Sequence, residues 1–202
     1  MIQTSPDYIE IKGERFIISM MYASTENMTQ TDVYNQIGFG NRAFVHKDMW
    51  EKISKLIPIL QQQKLKLKIF DAYRPPLAHK ILKEIIPMEG FFAASPERSQ
   101  HCRATAIDVC LCDEDGKELA YPTKVDAYTK EFARQIAQGQ TQNFLQHLQK
   151  ARHDYMAEGI ETEIKNREFL KKLMQEVGLE PIPHEWWHYN LPNGKDYPLC
   201  EL

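Results

Sequence analysis

The stretch SQHCRATAIDVCL (residues 99–111) joins two residues of metal-binding type to a short apolar run. Residues 106–111 are partly β-branched and almost wholly apolar, which predicts a buried strand. Asp108 would then be a carboxylate in a hydrophobic strand, and an unpaired buried carboxylate is strongly unfavourable. It therefore needs a cation or strong hydrogen-bond donors. His101, seven residues earlier, can converge on it from a loop or turn.

A second cluster, Glu185-Trp186-Trp187-His188, adds another imidazole and a spare carboxylate. Imidazole nitrogen and carboxylate oxygen are ordinary zinc ligands, and a catalytic zinc site combines three protein ligands with a water and a nearby base. Taken singly, each residue has a common structural explanation, such as an Asp paired with Arg or a hydrogen-bonded His. Their joint occurrence favours a metal site.

The residues His184-Glu185-Trp186-Trp187-His188 also match His-Glu-x-x-His, a zinc signature that requires a helix. Pro181 and Pro183 precede the motif and Pro192 follows it, so little room remains for a helix. Its aromatic residues favour a strand, and none of the fourteen residues after it is a histidine. We therefore predict that Glu185 enters a strand from a loop and that His188 lies on that strand.

The rest of the chain mixes strands and helices without a regular βαβ alternation, which predicts an α+β fold. We expect one domain over residues 1–202, with a central, mainly antiparallel sheet flanked by helices. Strict alternation over 64–69 predicts a strand that ends near Asp71, with Arg74 just beyond it. A structural ion pair between Arg74 and Asp71 is the alternative to a functional role for this arginine.

Other segments are predicted more coarsely. A helix is expected over 46–63, with a kink or stop at Pro58, and further helices over 77–85 and 161–177. Residues 128–155 are expected to be helical in parts and to cover the site. Residues 9–21 predict an early hairpin or edge strand, and 23–41 a loop that could line the site.

Composition limits the classes of function. With 202 residues, 43% of them hydrophobic, and a net charge of −3, the chain can build a sizeable core and lacks the basic character of nucleic-acid-binding proteins. No apolar run approaches the about 18 residues of a membrane span, and residues 1–7 lack a signal-peptide pattern. We therefore expect a cytoplasmic protein without a membrane or nucleic-acid partner; its oligomeric state is not predicted.

The four cysteines, Cys102, Cys110, Cys112 and Cys200, are expected to be free thiols in a reducing compartment. A zinc site built on cysteines is the alternative, but Cys110-x-Cys112 lacks the usual two-residue spacing between ligands.

Three motifs together resemble the zinc D-alanyl-D-alanine dipeptidases of the VanX type. They are Ser-x-His-x-x-x-x-Ala-x-Asp at 99–108, Glu-x-Trp-His at 185–188 and Asp-Ala-Tyr-Arg-Pro-Pro at 71–76, and the resemblance runs from about residue 21 to 189. The first two also mark zinc D,D-carboxypeptidases, some phage peptidoglycan endopeptidases and the hedgehog domain. The Tyr-Arg-Pro element favours the dipeptidases.

The resemblance implies a hedgehog/D,D-peptidase-like fold that holds one Zn²⁺ per chain. The implied ligands are His101, Asp108 and His188. Glu185 is implied to be the general base that activates water and then protonates the leaving amine, and Arg74 to face the oxyanion of the tetrahedral intermediate. The positions implied to lie near the substrate are Ser99, Asp126 and Tyr22.

The implied activity is hydrolysis of D-alanyl-D-alanine, or of a close D,D-dipeptide. Ala104 departs from the family, which has glycine there; if the position requires a positive φ, alanine is strained by roughly 1 kcal/mol. Two other functions fit the same residues. One is a D,D-carboxypeptidase or endopeptidase that acts on longer wall peptides, and the other is a zinc-binding module without catalysis.

Overall fold

The computed structural model describes residues 6–200. Most of residues 1–7, which bear on the signal-peptide prediction, lie outside this range. The strands are β1 (Tyr8–Glu10), β2 (Phe16–Ile18), β3 (Phe44–His46), β4 (Leu65–Asp71), β5 (Ala106–Asp113), β6 (Glu180–Ile182) and β7 (Glu185–Asn190). The α-helices are α1 (Val33–Gln36), α2 (Lys47–Ser54), α3 (Leu56–Gln62), α4 (Pro76–Ile85), α5 (Lys130–Ala137), α6 (Gln142–Leu148) and α7 (Glu161–Glu176).

A five-stranded sheet with the order β2-β4-β5-β7-β6 forms the centre of the fold, and β1 and β3 form a separate antiparallel pair. Within the large sheet only β2 and β4 run parallel. The predicted α+β fold with a mainly antiparallel sheet is therefore confirmed. β2 is the expected edge strand, but the alternative of a hairpin with β1 is wrong, because β1 pairs with β3 across about thirty-five residues, Ile9 lying opposite Val45.

The central strand β5 is buried from Ala106 to Cys112, because it lies between two neighbours and is covered on both faces. β4 alternates instead: Leu67, Ile69 and Asp71 are buried, and Lys68 and Phe70 between them are partly exposed. The pairing brings Asp71 opposite Asp108, past an irregularity in the ladder. Two carboxylates therefore meet at one end of the sheet, which is where the candidate site forms.

The predicted helix over 46–63 is two helices, α2 and α3, separated at Lys55. Pro58 explains the break, because in one continuous helix its ring would clash with the carbonyl of Ser54. As the third residue of α3, Pro58 occupies a turn whose amides have no partner within the helix. The chain thus interrupts the helix three residues before the proline.

The other predicted helices form with small changes of boundary. α4 and α7 match the expected segments, and residues 128–155 contain α5 and α6. α7 buries Leu170 and Leu173, and Gly178 ends it with a φ of +81°. The predicted loop over 23–41 contains the short helix α1. None of the helices within residues 6–200 is long and apolar enough to cross a bilayer.

Candidate metal centre and active site

Three potential ligands converge at the end of the sheet. His101 lies in the turn His101–Arg103 just before β5, Asp108 is the third residue of β5, and His188 lies opposite Asp108 on β7. The Nε2 atom of His101 is 3.3 Å from Nδ1 of His188 and 3.4 Å from Oδ2 of Asp108. Nδ1 of His188 is 2.9 Å from Oδ1 of Asp108. All three side chains are buried.

Hydrogen bonds at the far side of each ring fix which nitrogen faces the centre. Nδ1 of His101 donates to the carbonyl oxygen of Ala72 at 2.8 Å, and Nε2 of His188 donates to Oδ1 of Asn190 at 2.9 Å. With those nitrogens protonated, the neutral rings direct their remaining lone pairs toward Asp108. Such second partners are a regular feature of histidines that bind metal.

This donor set fits a divalent cation. Two lone pairs facing each other across 3.3 Å, next to a carboxylate, repel one another unless a cation lies between them. Ligands about 2.0–2.2 Å from a tetrahedral zinc ion are about 3.3–3.6 Å apart. The two separations from Nε2 of His101, 3.3 and 3.4 Å, lie in this range, and that between His188 and Asp108 is shorter, at 2.9 Å. Two imidazoles and one carboxylate leave a fourth position open. The three residues therefore fit zinc, as the sequence predicts.

The charges around the centre also favour a bound cation. Burial opposes ionisation of Asp108, but the adjacent imidazoles His101 and His188 outweigh it and hold the pKa of this carboxyl well below its usual range. Burial likewise opposes protonation of His101, yet the carboxylates of Asp108 and Asp71 raise its pKa. An anion that stays ionised under these conditions is suited to binding a metal.

Glu185 lies beside the three ligands without belonging to them. Its Oε2 is 3.8 Å from Nδ1 of His188, and about a quarter of its side chain is exposed, at 24%. Burial, together with the charge of nearby Asp108, raises its pKa to about 8 against the opposing effect of His188. A carboxyl group with an elevated pKa next to a metal position can accept and return a proton.

Arg74 follows β4 and is held by a buried ion pair. Its Nη2 and Nε atoms donate to Oδ2 of Asp71 at 2.7 and 2.9 Å. The other carboxylate oxygen of Asp71 accepts from the Tyr34 hydroxyl at 2.6 Å. The guanidinium carbon also lies over the rings of Tyr22 and Phe92, at 5.3 and 5.2 Å. Arg74 therefore forms the structural ion pair with Asp71 and also lines the cavity above the centre.

A cavity of about 740 Å³ opens over this centre, and all eight residues that the resemblance implied line it. They are Tyr22, Arg74, Ser99, His101, Asp108, Asp126, Glu185 and His188. The Tyr22 hydroxyl donates to Oδ2 of Asp126 at 3.1 Å. Residues 23–41 were predicted to be a loop that could line the site, but within the described part of the chain none of them lines the cavity. That expectation is wrong, because this segment packs behind Asp71 through Tyr34.

Strained backbone lies on both sides of the site. Ala104 has a φ of +56° and Asp126 a φ of +53°, both in the left-handed region that disfavours residues with a Cβ. The positive φ expected at the family's glycine position is therefore present, and Ala104 adopts it. At Asp126 the strained turn directs a half-buried carboxyl to the cavity, where burial and the charge of Asp108 raise its pKa to about 7.

Two supporting residues were missed from the sequence, Asn190 and Tyr34. Asn190 positions His188, whereas Tyr34 holds the Asp71 carboxylate that forms the expected ion pair with Arg74. A signal for Asn190 was present, because it follows His188 by two residues on the same strand, so both side chains lie on one face. Tyr34 gave no such signal, since its contact joins positions 37 residues apart through the fold.

A metal position formed by two imidazoles and a carboxylate, with a separate carboxyl and an arginine over an open cavity, defines a metallopeptidase type of site. The family described as D-ala-D-ala dipeptidase matches residues 9–199 of this chain. The D-alanyl-D-alanine dipeptidase of Escherichia coli (strain K12) is 31% identical over 182 residues, which cover 90% of this chain and 82% of that protein. The chain belongs to the D-Ala-D-Ala dipeptidase family. The predicted family and its hydrolase class are thereby confirmed.

Proposed function

We propose that this protein hydrolyses D-alanyl-D-alanine, or a closely similar D,D-dipeptide, to free amino acids with one Zn²⁺ per chain. The ligands are His101, Asp108 and His188. The observation that carries the proposal is the convergence of their three donor atoms beside Glu185, in a chain of this family. When bound, zinc acidifies the attacking water to a pKa of about 7 and polarises the scissile carbonyl group.

Glu185 acts as the general base and then as the general acid. It takes a proton from the attacking water and delivers it to the nitrogen of the leaving amino acid. Its place at the cavity surface, next to but outside the ligand set, suits both transfers. The burial that raises its pKa makes the carboxylate a stronger base than an exposed glutamate.

Arg74 stabilises the negative charge that develops on the carbonyl oxygen. A guanidinium group remains protonated at any working pH, and the ion pair with Asp71 fixes its orientation. A donor held rigidly before the reaction loses no free energy to reorganisation when the charge appears.

Asp126 and Tyr22 bind the amino end of the dipeptide. A free α-ammonium group needs an anionic partner, and Asp126 is a cavity carboxyl that serves neither as ligand nor as base in this scheme. The Tyr22 hydroxyl holds one of its oxygens. Ser99, also on the cavity wall, contributes a polar contact to the substrate.

Two substrates separate the proposal from its alternatives. Zinc-loaded protein incubated with D-alanyl-D-alanine should release two D-alanine molecules per dipeptide, and a D,D-pentapeptide should be a poor substrate. Cleavage of the pentapeptide but not of the dipeptide would indicate a carboxypeptidase or endopeptidase. Zinc binding without turnover of either would indicate a binding module. A cytoplasmic location is also proposed, which the four free, buried cysteines support.

A further inference from the structure

A free dipeptide is a zwitterion, and the roles assigned so far leave its C-terminal carboxylate without a partner. Arg74 is engaged by Asp71 and faces the carbonyl oxygen, whereas Asp126 and Glu185 are acidic and would repel a carboxylate. The cavity of about 740 Å³ is much larger than a dipeptide, so shape alone cannot hold so small a substrate in register. Charged contacts at both ends are needed.

Two further cations line the same cavity. Lys83 lies in the last turn of α4, and Arg98 ends the turn Pro96–Arg98, directly before Ser99. Neither side chain has an ion-pair partner within 4.0 Å among residues 6–200. The Lys83 ammonium group donates to the carbonyl oxygen of Ala94, which positions it and leaves two of its N–H groups free.

These cations come from a different segment of the cavity lining, here called the basic wall, than the acidic groups. Lys83, Arg98 and Ser99 all lie within the segment that leads from α4 to the His101 turn, whereas Asp126 and Glu185 come from the turn Val125–Ala127 and from β7. Glu89 also lies on the basic wall, but it forms no ion pair with either cation among the described residues. The cations and the acidic groups that line the cavity therefore come from separate segments of the chain, and the two cations have no carboxylate partner among residues 6–200.

We propose that Lys83 and Arg98, together with Ser99, bind the free C-terminal carboxylate of the substrate. This inference rests on the proposed function. An anion shared by two cations and a hydroxyl is fixed in position, and Arg98 can bind it through two parallel N–H donors. Recognition of both charged ends makes the enzyme selective for short substrates with an unblocked carboxyl end.

The test compares D-alanyl-D-alanine with D-alanyl-D-alaninamide, which has the same scissile bond and the same N-terminal ammonium group but no charge at its C-terminal end. Arg98→Gln and Lys83→Gln should each raise KM for the dipeptide about tenfold and leave kcat unchanged, because the contact exists before and during the reaction. The amide should be a poor substrate of the parent, and neither variant should worsen its KM. Arg98→Lys should recover much of the loss.

Lys80→Gln is the matched control, since Lys80 lies one turn before Lys83 on α4, is exposed and does not line the cavity. Its KM should equal that of the parent. Unchanged KM in both Gln variants, or an equal rise for dipeptide and amide, would overturn the inference while the dipeptidase function stood. If the zinc-loaded parent cleaved neither substrate, the proposed function would fail and this inference with it.

Discussion

The amide of Asn190 should control how tightly the centre holds its metal. Its Oδ1 accepts the Nε2 proton of His188 at 2.9 Å, which keeps the lone pair of Nδ1 directed at the ligand centre. In Asn190→Ala the ring loses this partner and can rotate or take the other tautomer. Loss of such a second partner lowers metal affinity by about 10–100-fold. This range corresponds to about 1.4–2.7 kcal/mol of binding free energy.

The affinity of Asn190→Ala can be measured by competition for zinc with a chromophoric chelator at neutral pH. Asn190→Asp keeps an acceptor in the same place, so it should bind zinc at least as tightly as the parent. The melting temperatures of the metal-free proteins should be similar, because Asn190 contributes little buried apolar surface. Zinc affinity within twofold of the parent in Asn190→Ala would refute the assignment of His188 as a ligand through Nδ1.

Three further perturbations test other parts of the site. Asp71→Asn leaves the Arg74 guanidinium buried without a counter-charge and should lower the free energy of unfolding by about 3–5 kcal/mol in denaturant titrations. A loss below about 1 kcal/mol would contradict this. Ala104→Gly should leave the melting temperature within about 3 °C, because relief of about 1–2 kcal/mol of strain is offset by a lost buried methyl group and greater chain entropy. Ala104→Val should instead be destabilising by roughly 2 kcal/mol or more, and equal stability of the two variants would argue against the positive φ. In the metal-free protein Glu185 keeps its proton to about pH 8, whereas the unfolded chain releases it near the ordinary value of 4.5, so its effect on stability becomes steadily less favourable across that window as pH rises. The melting temperature of the parent should therefore fall relative to that of Glu185→Gln from pH 5 to pH 8. A difference that stays constant with pH would argue against the raised pKa.

Local pattern was sufficient for the parts of the site that depend on one strand. The apolar run after His101 predicted a buried β5 with Asp108 on it, and the prolines around Glu185 correctly favoured a strand over a helix. The alternation in β4 placed Arg74 just beyond its end. Once a segment is known to be a strand, its period of two residues decides the face on which each side chain lies.

Contacts that depend on the register between distant segments could not be predicted. The pairing of β1 with β3 and the hydrogen bond from Tyr34 to Asp71 join segments that share no local pattern. The carbonyl of Ala72 orients His101, but every residue has a carbonyl, so the sequence carries no signal for it. The two cations Lys83 and Arg98 look like ordinary surface charges until the fold brings them to one cavity.

Zinc content measured together with D-alanine release in two variants tests the central claim most directly. Glu185→Ala should retain one zinc ion per chain and lose turnover by about 100-fold to 10,000-fold, because a base is removed and the ligands are not. His101→Ala should lose both the metal and the activity. Near-parental turnover in Glu185→Ala, or a full complement of tightly held zinc in His101→Ala, would contradict the account.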